Sequence, residues 1–131
     1  MASFLIADDS LLSRKILTKM ITNIGHTVVG ESRDGEETFQ MYEELKPDIV
    51  TLDITMPVMN GIDCLIKIIE KYPHAKVLII TAIGKSSMVL EALKNGAKYY
   101  VTKPLDEKKV IEAIEITIAD NNLPPDKDAF Y

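Results

Sequence analysis

The sequence is short of cysteine, of basic residues and of long apolar runs, and each shortage argues against a class of protein. Cys64 is the only cysteine among 131 residues, so no disulfide can form within the chain, which fits a reducing compartment. Fifteen basic residues against twenty acidic ones give a formal charge of −5, so we expect no nucleic-acid partner and no binding to a membrane surface. No apolar run approaches the roughly 20 residues of a membrane span. We therefore expect a cytoplasmic protein.

What the sequence does contain is an alternation of two apolar patterns. Five short, nearly continuous apolar runs are typical of buried parallel strands. They are residues 3–7, 27–31, 48–53, 76–80 and 97–101. After each run, apolar residues recur every three or four positions, as they do on amphipathic helices. In the first helix these residues are Leu12, Ile16, Met20, Ile21 and Ile24.

Strict alternation of strands and helices predicts an α/β fold with a parallel sheet covered on both faces. At this length the common topology is the (βα)5 flavodoxin-like doubly wound sheet with strand order 2-1-3-4-5. We expect one domain over residues 1–119. Residues 120–131 are polar and contain two prolines, which predicts either a flexible C-terminal tail or the start of a linker.

Three acidic residues follow two of the predicted strands. Asp8 and Asp9 come directly after the first strand and Asp53 ends the third, its neighbour in the expected order. The carboxyl ends of parallel strands meet at one edge of a sheet, so we expect the three carboxylates to converge. Two unit charges about 4 Å apart repel by roughly 4 kcal/mol at an effective dielectric constant near 20, so such a cluster takes up protons or holds a cation.

Oxygen ligands in a small, incomplete set favour Mg²⁺ among the cations. The simpler explanation of an aspartate at a helix start is a helix cap, favoured by the helix dipole. Capping explains either Asp8 or Asp9 alone, but not an adjacent pair together with Asp53. The sequence therefore predicts a magnesium site at this edge.

The fourth and fifth strands reach the same edge with a hydroxyl group and an ammonium group. Thr81 ends the fourth strand, and Lys103 follows the fifth. Pro104 makes the Lys103–Pro104 peptide bond a cis candidate. Each residue alone has an ordinary explanation, a β-branched strand end for Thr81 and a solvated surface lysine for Lys103. Their coincidence with three acids favours a functional site.

The segments that carry these residues resemble the receiver domain of bacterial response regulators, the CheY-like superfamily. They are ADDS (7–10), LDITMPVMNG (52–61), TAIGK (81–85) and YVTKP (100–104), and the resemblance covers about residues 3–119. It implies a switch of a two-component phosphorelay that takes a phosphoryl group from a sensor histidine kinase or a phosphotransfer protein. It also implies a domain that phosphorylates and slowly dephosphorylates itself, rather than a turnover enzyme.

The resemblance implies a role for each acidic residue. Asp53 corresponds to the phosphoacceptor. Asp9 would contact Mg²⁺ directly, and Asp8 would act mainly through a coordinating water. Asp53 and the backbone carbonyl of Thr55 would complete the protein's share of the metal shell.

The resemblance also implies a conformational switch. The Thr81 hydroxyl would bond the phosphoryl group, and Lys103 would pair with an aspartate at rest and with a phosphoryl oxygen after transfer. Tyr100 would turn inward when Thr81 moves, and so reshape the surface of helix 4, strand 5 and helix 5, where a downstream protein is expected to bind. We expect a monomer or a phosphorylation-dependent dimer.

Three further residues are implied to control access to the phosphoryl group. Ala82 is small and would leave the site open. Thr55 and Ile83 stand two residues after Asp53 and Thr81 and would flank the path of an attacking water. Because positions of this kind vary in the family, the lifetime of the phosphorylated state is not implied.

Alternatives to a stand-alone switch remain at this point. An FMN-binding flavodoxin is disfavoured, because the acids after the first strand would repel its phosphate. A pseudo-receiver that only binds proteins would usually lack one of the five site residues, and this sequence has them all. The chain could also be the truncated receiver of a larger multidomain regulator. For a stand-alone switch, we expect the controlled partner to act in chemotaxis or motility.

Overall fold

Five strands and five helices alternate along the chain in the computed structural model, which describes residues 1–82 and 86–125. The strands are β1 (Ser3–Ala7), β2 (Thr27–Ser32), β3 (Ile49–Leu52), β4 (Val77–Thr81) and β5 (Tyr99–Thr102). The helices are α1 (Leu11–Asn23), α2 (Gly35–Leu45), α3 (Gly61–Lys71), α4 (Ser86–Lys94) and α5 (Glu107–Ala119). The predicted strands lie within about two residues of the observed ones. No helix in these described ranges is long and apolar enough to cross a membrane.

The strands form one parallel sheet in the order β2-β1-β3-β4-β5, which confirms the predicted flavodoxin-like topology. All residues of β3 and β4 are buried, as expected of central strands covered on both faces. The edge strand β2 instead alternates between exposed and half-buried residues over most of its length. The carboxyl ends of β1 and β3 are therefore neighbours near the middle of the sheet.

Each face of the sheet has its own hydrophobic core, because consecutive strand residues point to opposite faces. On one face, Phe4 and Ile6 of β1 pack with the buried side chains of α1 and α5. On the other face, Leu5 and Ala7 pack with those of α2 and α3. The two cores thus cover both faces of the sheet whose carboxyl edge carries the predicted site.

The apolar pattern that predicted α1 does not coincide with the buried face of this helix. Leu12 and Ile16, which belong to that pattern, are 69% and 40% exposed. The buried residues of this helix are Arg14, Leu17 and Ile21. A stripe at positions i, i+3 and i+7 faces the sheet, and a charged side chain occupies its first position, where an apolar pattern cannot reveal it.

The carboxyl end of α5 is held by two lysines from the opposite edge of the sheet. Lys76 precedes β4 and donates a hydrogen bond to the carbonyl of Ile118. Lys98 precedes β5, lies 3.5 Å from Asp120 Oδ1 and donates to the carbonyl of Asn122. Cations at this end also suit the helix dipole.

The segment after α5 begins without regular structure. Residues 120–125 form no helix or strand, and residues 126–131 of the expected tail lie outside the described residues. Whether residues 120–131 are a flexible tail or a linker stays a prediction, as does the domain boundary at residue 119.

Candidate functional site

Three carboxylates meet at the carboxyl edge of the sheet. One oxygen each from Asp8, Asp9 and Asp53 lies within 4.8 Å of the others. Asp8 and Asp53 are 5% and 6% exposed, whereas Asp9 is exposed to solvent. The structure thus brings together the three acids that the strand order predicted.

Asp8 is held by hydrogen bonds of its backbone N–H and of both its carboxylate oxygens. Its backbone N–H donates to the carbonyl of Ser32 at 3.0 Å, which extends the pairing of β1 with β2. Its Oδ1 accepts from the backbone N–H of Ser10 at 2.9 Å, and its Oδ2 accepts from Lys103 Nζ at 2.7 Å. Ser10 is also the N-cap of α1, so the cap and the acid share one tight turn.

Asp53 is fixed by its backbone and by the loop that follows it. Its N–H donates to the carbonyl of Ala7 at 3.0 Å, and its Oδ1 accepts from the N–H of Thr55 at 3.2 Å. The start of α3 presses against it, since a Cβ on Gly61 would lie 2.0 Å from the Asp53 carbonyl oxygen. Only glycine fits at this close approach.

Lys103 connects the two buried acids. Its Nζ donates to Asp8 Oδ2 at 2.7 Å and to Asp53 Oδ2 at 3.0 Å. Burial disfavours the ammonium and is the largest single influence, but the bonds to Asp8 and Asp53 together outweigh it and raise the pKa of Lys103 above its usual value. The peptide bond between Lys103 and Pro104, the cis candidate, is cis.

The charge of this cluster matches a divalent cation. Three carboxylates and the Lys103 ammonium leave a formal charge of −2. Carboxylate oxygens within 4.8 Å of one another repel by about 3 kcal/mol or more for each pair of unit charges at an effective dielectric constant near 20. The donor set consists of oxygens alone and is partly open to solvent through Asp9, as suits Mg²⁺, which retains several waters. The residues present therefore fit a magnesium ion.

Thr81 and Tyr100 lie on the adjacent strands β4 and β5. Thr81 is fully buried at the end of β4, and its carbonyl accepts from the N–H of Lys103 at 2.9 Å. Tyr100 is 40% exposed on β5 and lines a surface cavity of about 340 Å³ together with Lys109 and Glu112 of α5. The Tyr100 ring therefore stands outside the core in this structure.

The residues predicted to control access have different outcomes. Ala82 and Thr55 are both exposed near the carboxyl edge. Ile83 lies outside the described residues. Cys64 is fully buried in α3, and burial raises the pKa of its thiol to about 12, which makes it unreactive.

Sequence reasoning missed one charged residue of the site. Arg14 is 8% exposed, and its guanidinium contacts the carbonyl of Asp8 and the carboxylate of Glu31. The available signal was its spacing, three and seven residues before the apolar Leu17 and Ile21. An arginine at such a position has to find polar partners at the end of the sheet.

Comparison with known proteins identifies relatives over most of the chain. A family model described as response regulator receiver domain matches residues 4–115. Chemotaxis protein CheY of Thermotoga maritima is 47% identical over 110 residues, which cover 84% of this chain and 92% of that protein. Transcriptional regulatory protein PdtaR of Mycobacterium tuberculosis is 36% identical, over 88% of this chain but 56% of that protein. The solved CheX–CheY–BeF3–Mg complex from Borrelia burgdorferi contains a similar chain, with a TM-score of 0.87, 41% identity and 90% coverage of both chains.

Proposed function

The chain belongs to the family of response regulator receiver domains, and on that premise we propose that it is a phosphorylation-activated switch with Asp53 as the phosphoacceptor. A sensor histidine kinase or a phosphotransfer protein would supply the phosphoryl group. The observation that carries the proposal is the convergence of the Asp8, Asp9 and Asp53 carboxylates, with Lys103 bonded to two of them.

The proposed reaction is transfer of a phosphoryl group to an Asp53 oxygen. A new O–P bond forms on the carboxylate while the P–N bond of a phosphohistidine breaks, and its electron pair stays on the imidazole, which takes up a proton from solvent. Lys103 already contacts an Asp53 oxygen and is positioned to offset the charge of the incoming group. Asp8 holds Lys103 on its other side and so keeps the ammonium in place.

We propose that Asp8, Asp9, Asp53 and the backbone carbonyl of Thr55 hold a Mg²⁺ ion. When bound, the ion would offset negative charge on the phosphoryl oxygens. The hydrogen bond from the Thr55 N–H to Asp53 Oδ1 supports Thr55 as a member of this ligand set, because it holds the Thr55 backbone next to the Asp53 carboxylate. The related Borrelia burgdorferi complex includes both Mg and BeF3 with its CheY chain, which also supports it.

The proposed output is a change in the surface formed by α4, β5 and α5. Thr81 would bond the phosphoryl group, and Tyr100 would move inward from its half-exposed position. A downstream protein would bind the altered surface. The 47% identity to a chemotaxis CheY supports a role in chemotaxis, while the similarity to part of PdtaR leaves a receiver within a larger regulator as the alternative.

The experiment that tests this function is incubation of the purified chain with MgCl₂ and acetyl phosphate, followed by intact-protein mass spectrometry. We expect one added phosphoryl group, no addition in Asp53→Asn, and none when EDTA replaces MgCl₂. Beryllofluoride with Mg²⁺ should in addition shift the NMR signals of Tyr100.

The matched control is Asp48→Asn, which removes an aspartate at the opposite end of β3 that bonds Ser3. This variant should be phosphorylated like the unaltered chain. No added phosphoryl group, together with unchanged Tyr100 signals, would instead support a protein-binding pseudo-receiver. We further propose that the domain is not a turnover enzyme and acts in the cytoplasm, as a monomer or as a dimer formed on phosphorylation.

A further inference from the structure

The peptide bond that joins Asp8 to Asp9 is held by a buried arginine. Arg14 lies on α1, one turn after the N-cap, and its Nη1 donates to the Asp8 carbonyl oxygen at 2.8 Å. Its Nε donates to Glu31 Oε1 on β2 at 3.0 Å. The guanidinium therefore connects α1, the end of β1 and the edge strand.

The Asp8 carbonyl needs this partner because it lies beyond the end of the strand pairing. The last bond from β1 towards β3 runs from the Asp53 N–H to the carbonyl of Ala7, one residue earlier. Asp8 is 5% exposed, so an unpaired carbonyl there would be costly. Without Arg14 the peptide that carries both acids would lose its fixed orientation.

Arginine is the side chain suited to bonding the Asp8 carbonyl and the Glu31 carboxylate at the same time. The guanidinium presents several donors in a rigid plane, so it can bond a carbonyl and a carboxylate at once, whereas an ammonium is a point charge. The Arg14 side chain is 10% exposed and the Glu31 side chain 44%, so the carbonyl contact is the buried end of the arrangement. Glu31 fixes the other end of the plane.

We propose that Arg14 is a positioning residue for divalent-cation binding, acting through the backbone between Asp8 and Asp9. The proposal rests on the proposed function, since it assigns Mg²⁺ to these acids. Positioning and simple electrostatics predict opposite changes in Mg²⁺ affinity when Arg14 is replaced. Removing a positive charge near an acidic cluster would strengthen cation binding through electrostatics alone. Loss of positioning would weaken it, as is typical when residues that orient metal ligands are changed, by about 10- to 100-fold.

The experiment measures Mg²⁺ binding directly by isothermal titration calorimetry, without any phosphoryl donor. Arg14→Met removes the donors and keeps an apolar side chain, and we expect its dissociation constant for Mg²⁺ to rise at least about tenfold. The matched control is Arg33→Met, the same change at an exposed arginine in the loop after β2. Arg33→Met should bind Mg²⁺ as tightly as the unaltered chain or more tightly.

A second variant and two folding measurements distinguish loss of positioning from loss of folding. Glu31→Gln keeps Arg14 and its carbonyl bond but weakens the outer ion pair, so we expect a smaller rise in the dissociation constant than for Arg14→Met. Circular dichroism and urea unfolding establish that each variant is folded in the titration. Equal or tighter Mg²⁺ binding by folded Arg14→Met overturns the positioning role, as does a rise for Glu31→Gln alone. If the unaltered chain binds no Mg²⁺, the proposed function itself fails, and this inference with it.

Discussion

Val58 has a backbone conformation that β-branched residues rarely adopt. Its φ is +67°, and the N–H of Met59 donates to the carbonyl of Pro57 across it at 2.8 Å, which closes a tight γ-turn. The side chain is 79% exposed, so little packing offsets this strain. The turn lies in the loop between Asp53 and α3, and backbone strain of this kind clusters near functional sites.

Val58→Gly should therefore stabilise the protein. Glycine relieves the backbone strain at this positive φ, which costs about 1–3 kcal/mol. It also makes the unfolded chain more flexible, which offsets about 0.5–1 kcal/mol of that gain. The free energy of unfolding should therefore rise by about 1 kcal/mol. Urea unfolding followed by circular dichroism measures it. The control Val29→Gly, at a 40% exposed position of β2, should lower the free energy of unfolding. A loss of stability in Val58→Gly would show that the turn is not strained.

The sequence was informative for residues whose position follows from topology, and uninformative for those whose role depends on local contacts. The convergence of Asp8, Asp9 and Asp53 could be predicted, because parallel strands end at a common edge. The contact between Arg14 and the Asp8 carbonyl could not, because it depends on the rotation of α1 and on one side-chain conformation. Composition and periodicity carry no information about such a bond.

The junction of β3 with α3 shows how one element fixes the site. The N–H of Gly61 donates to the carbonyl of Ile54 at 2.7 Å, so α3 starts directly against the strand end that carries Asp53. The N-cap Asn60 accepts from the N–H of Asp63 and completes the first turn. The position of the Asp53 carboxylate is thus tied to the start of a helix.

Gly61→Ala should disrupt this junction. A Cβ there would lie 2.0 Å from the Asp53 carbonyl oxygen, and backbone cannot move aside easily. We expect the free energy of unfolding to fall by about 2 kcal/mol and phosphorylation by acetyl phosphate to fall several-fold in the folded fraction. Urea unfolding and mass spectrometry measure the two effects.

The control for this change is Gly25→Ala, after α1. Gly25 has a φ of +91° but no atom within 4 Å of an added Cβ, so it tests backbone strain without a clash. It should lower stability by about 1 kcal/mol and leave phosphorylation unchanged. If Gly61→Ala had the same small effect on stability and full phosphorylation, the close approach of α3 would not matter for the reactivity of Asp53.

Element boundaries were largely predictable, and the orientation of one helix was not. Helix starts at Gly35 and Gly61 follow the capping residues Asp34 and Asn60, which local chemistry favours in those positions. The buried face of α1 did not follow from periodicity, because Leu12 and Ile16 of the apolar pattern lie on the solvent side. Periodicity identifies a helix more reliably than it identifies the buried side when two apolar stripes compete.

On the scale of the whole molecule, Lys103 joins strands that are far apart in the sequence. Its ion pairs link the loop after β5 with the ends of β1 and β3, across 95 and 50 residues. Without it, the buried carboxylates of Asp8 and Asp53 would lose the ammonium that lies between them. This single side chain therefore contributes to the stability of the assembled sheet as well as to its charge balance.

Stability should consequently depend on pH through Lys103. Its pKa in the folded state is raised above the usual 10.5, so its contribution is fully present below about pH 10.5 and is lost as pH rises through the higher folded-state pKa. Lys103→Met should lower the free energy of unfolding by roughly 2 kcal/mol near pH 8. The difference from the unaltered chain should shrink above pH 10.5.

Urea unfolding of both proteins from pH 8 to beyond the folded-state pKa measures this dependence. Lys109→Met, at an exposed position of α5, serves as the control and should give no comparable difference at any pH. A gap between Lys103→Met and the unaltered chain that stays constant in alkali would contradict the linkage. In that case the ion pairs would not be the source of the stabilisation.

The way α5 ends has a practical consequence for handling the protein. The helix starts beside the carboxyl edge of the sheet and runs for 13 residues, or about 20 Å, before Lys76 and Lys98 secure its far end. Residues 120–122 therefore leave from the side opposite Asp53. A surface tether or fluorophore joined there, at residue 122, would leave the acidic edge open to incoming donors.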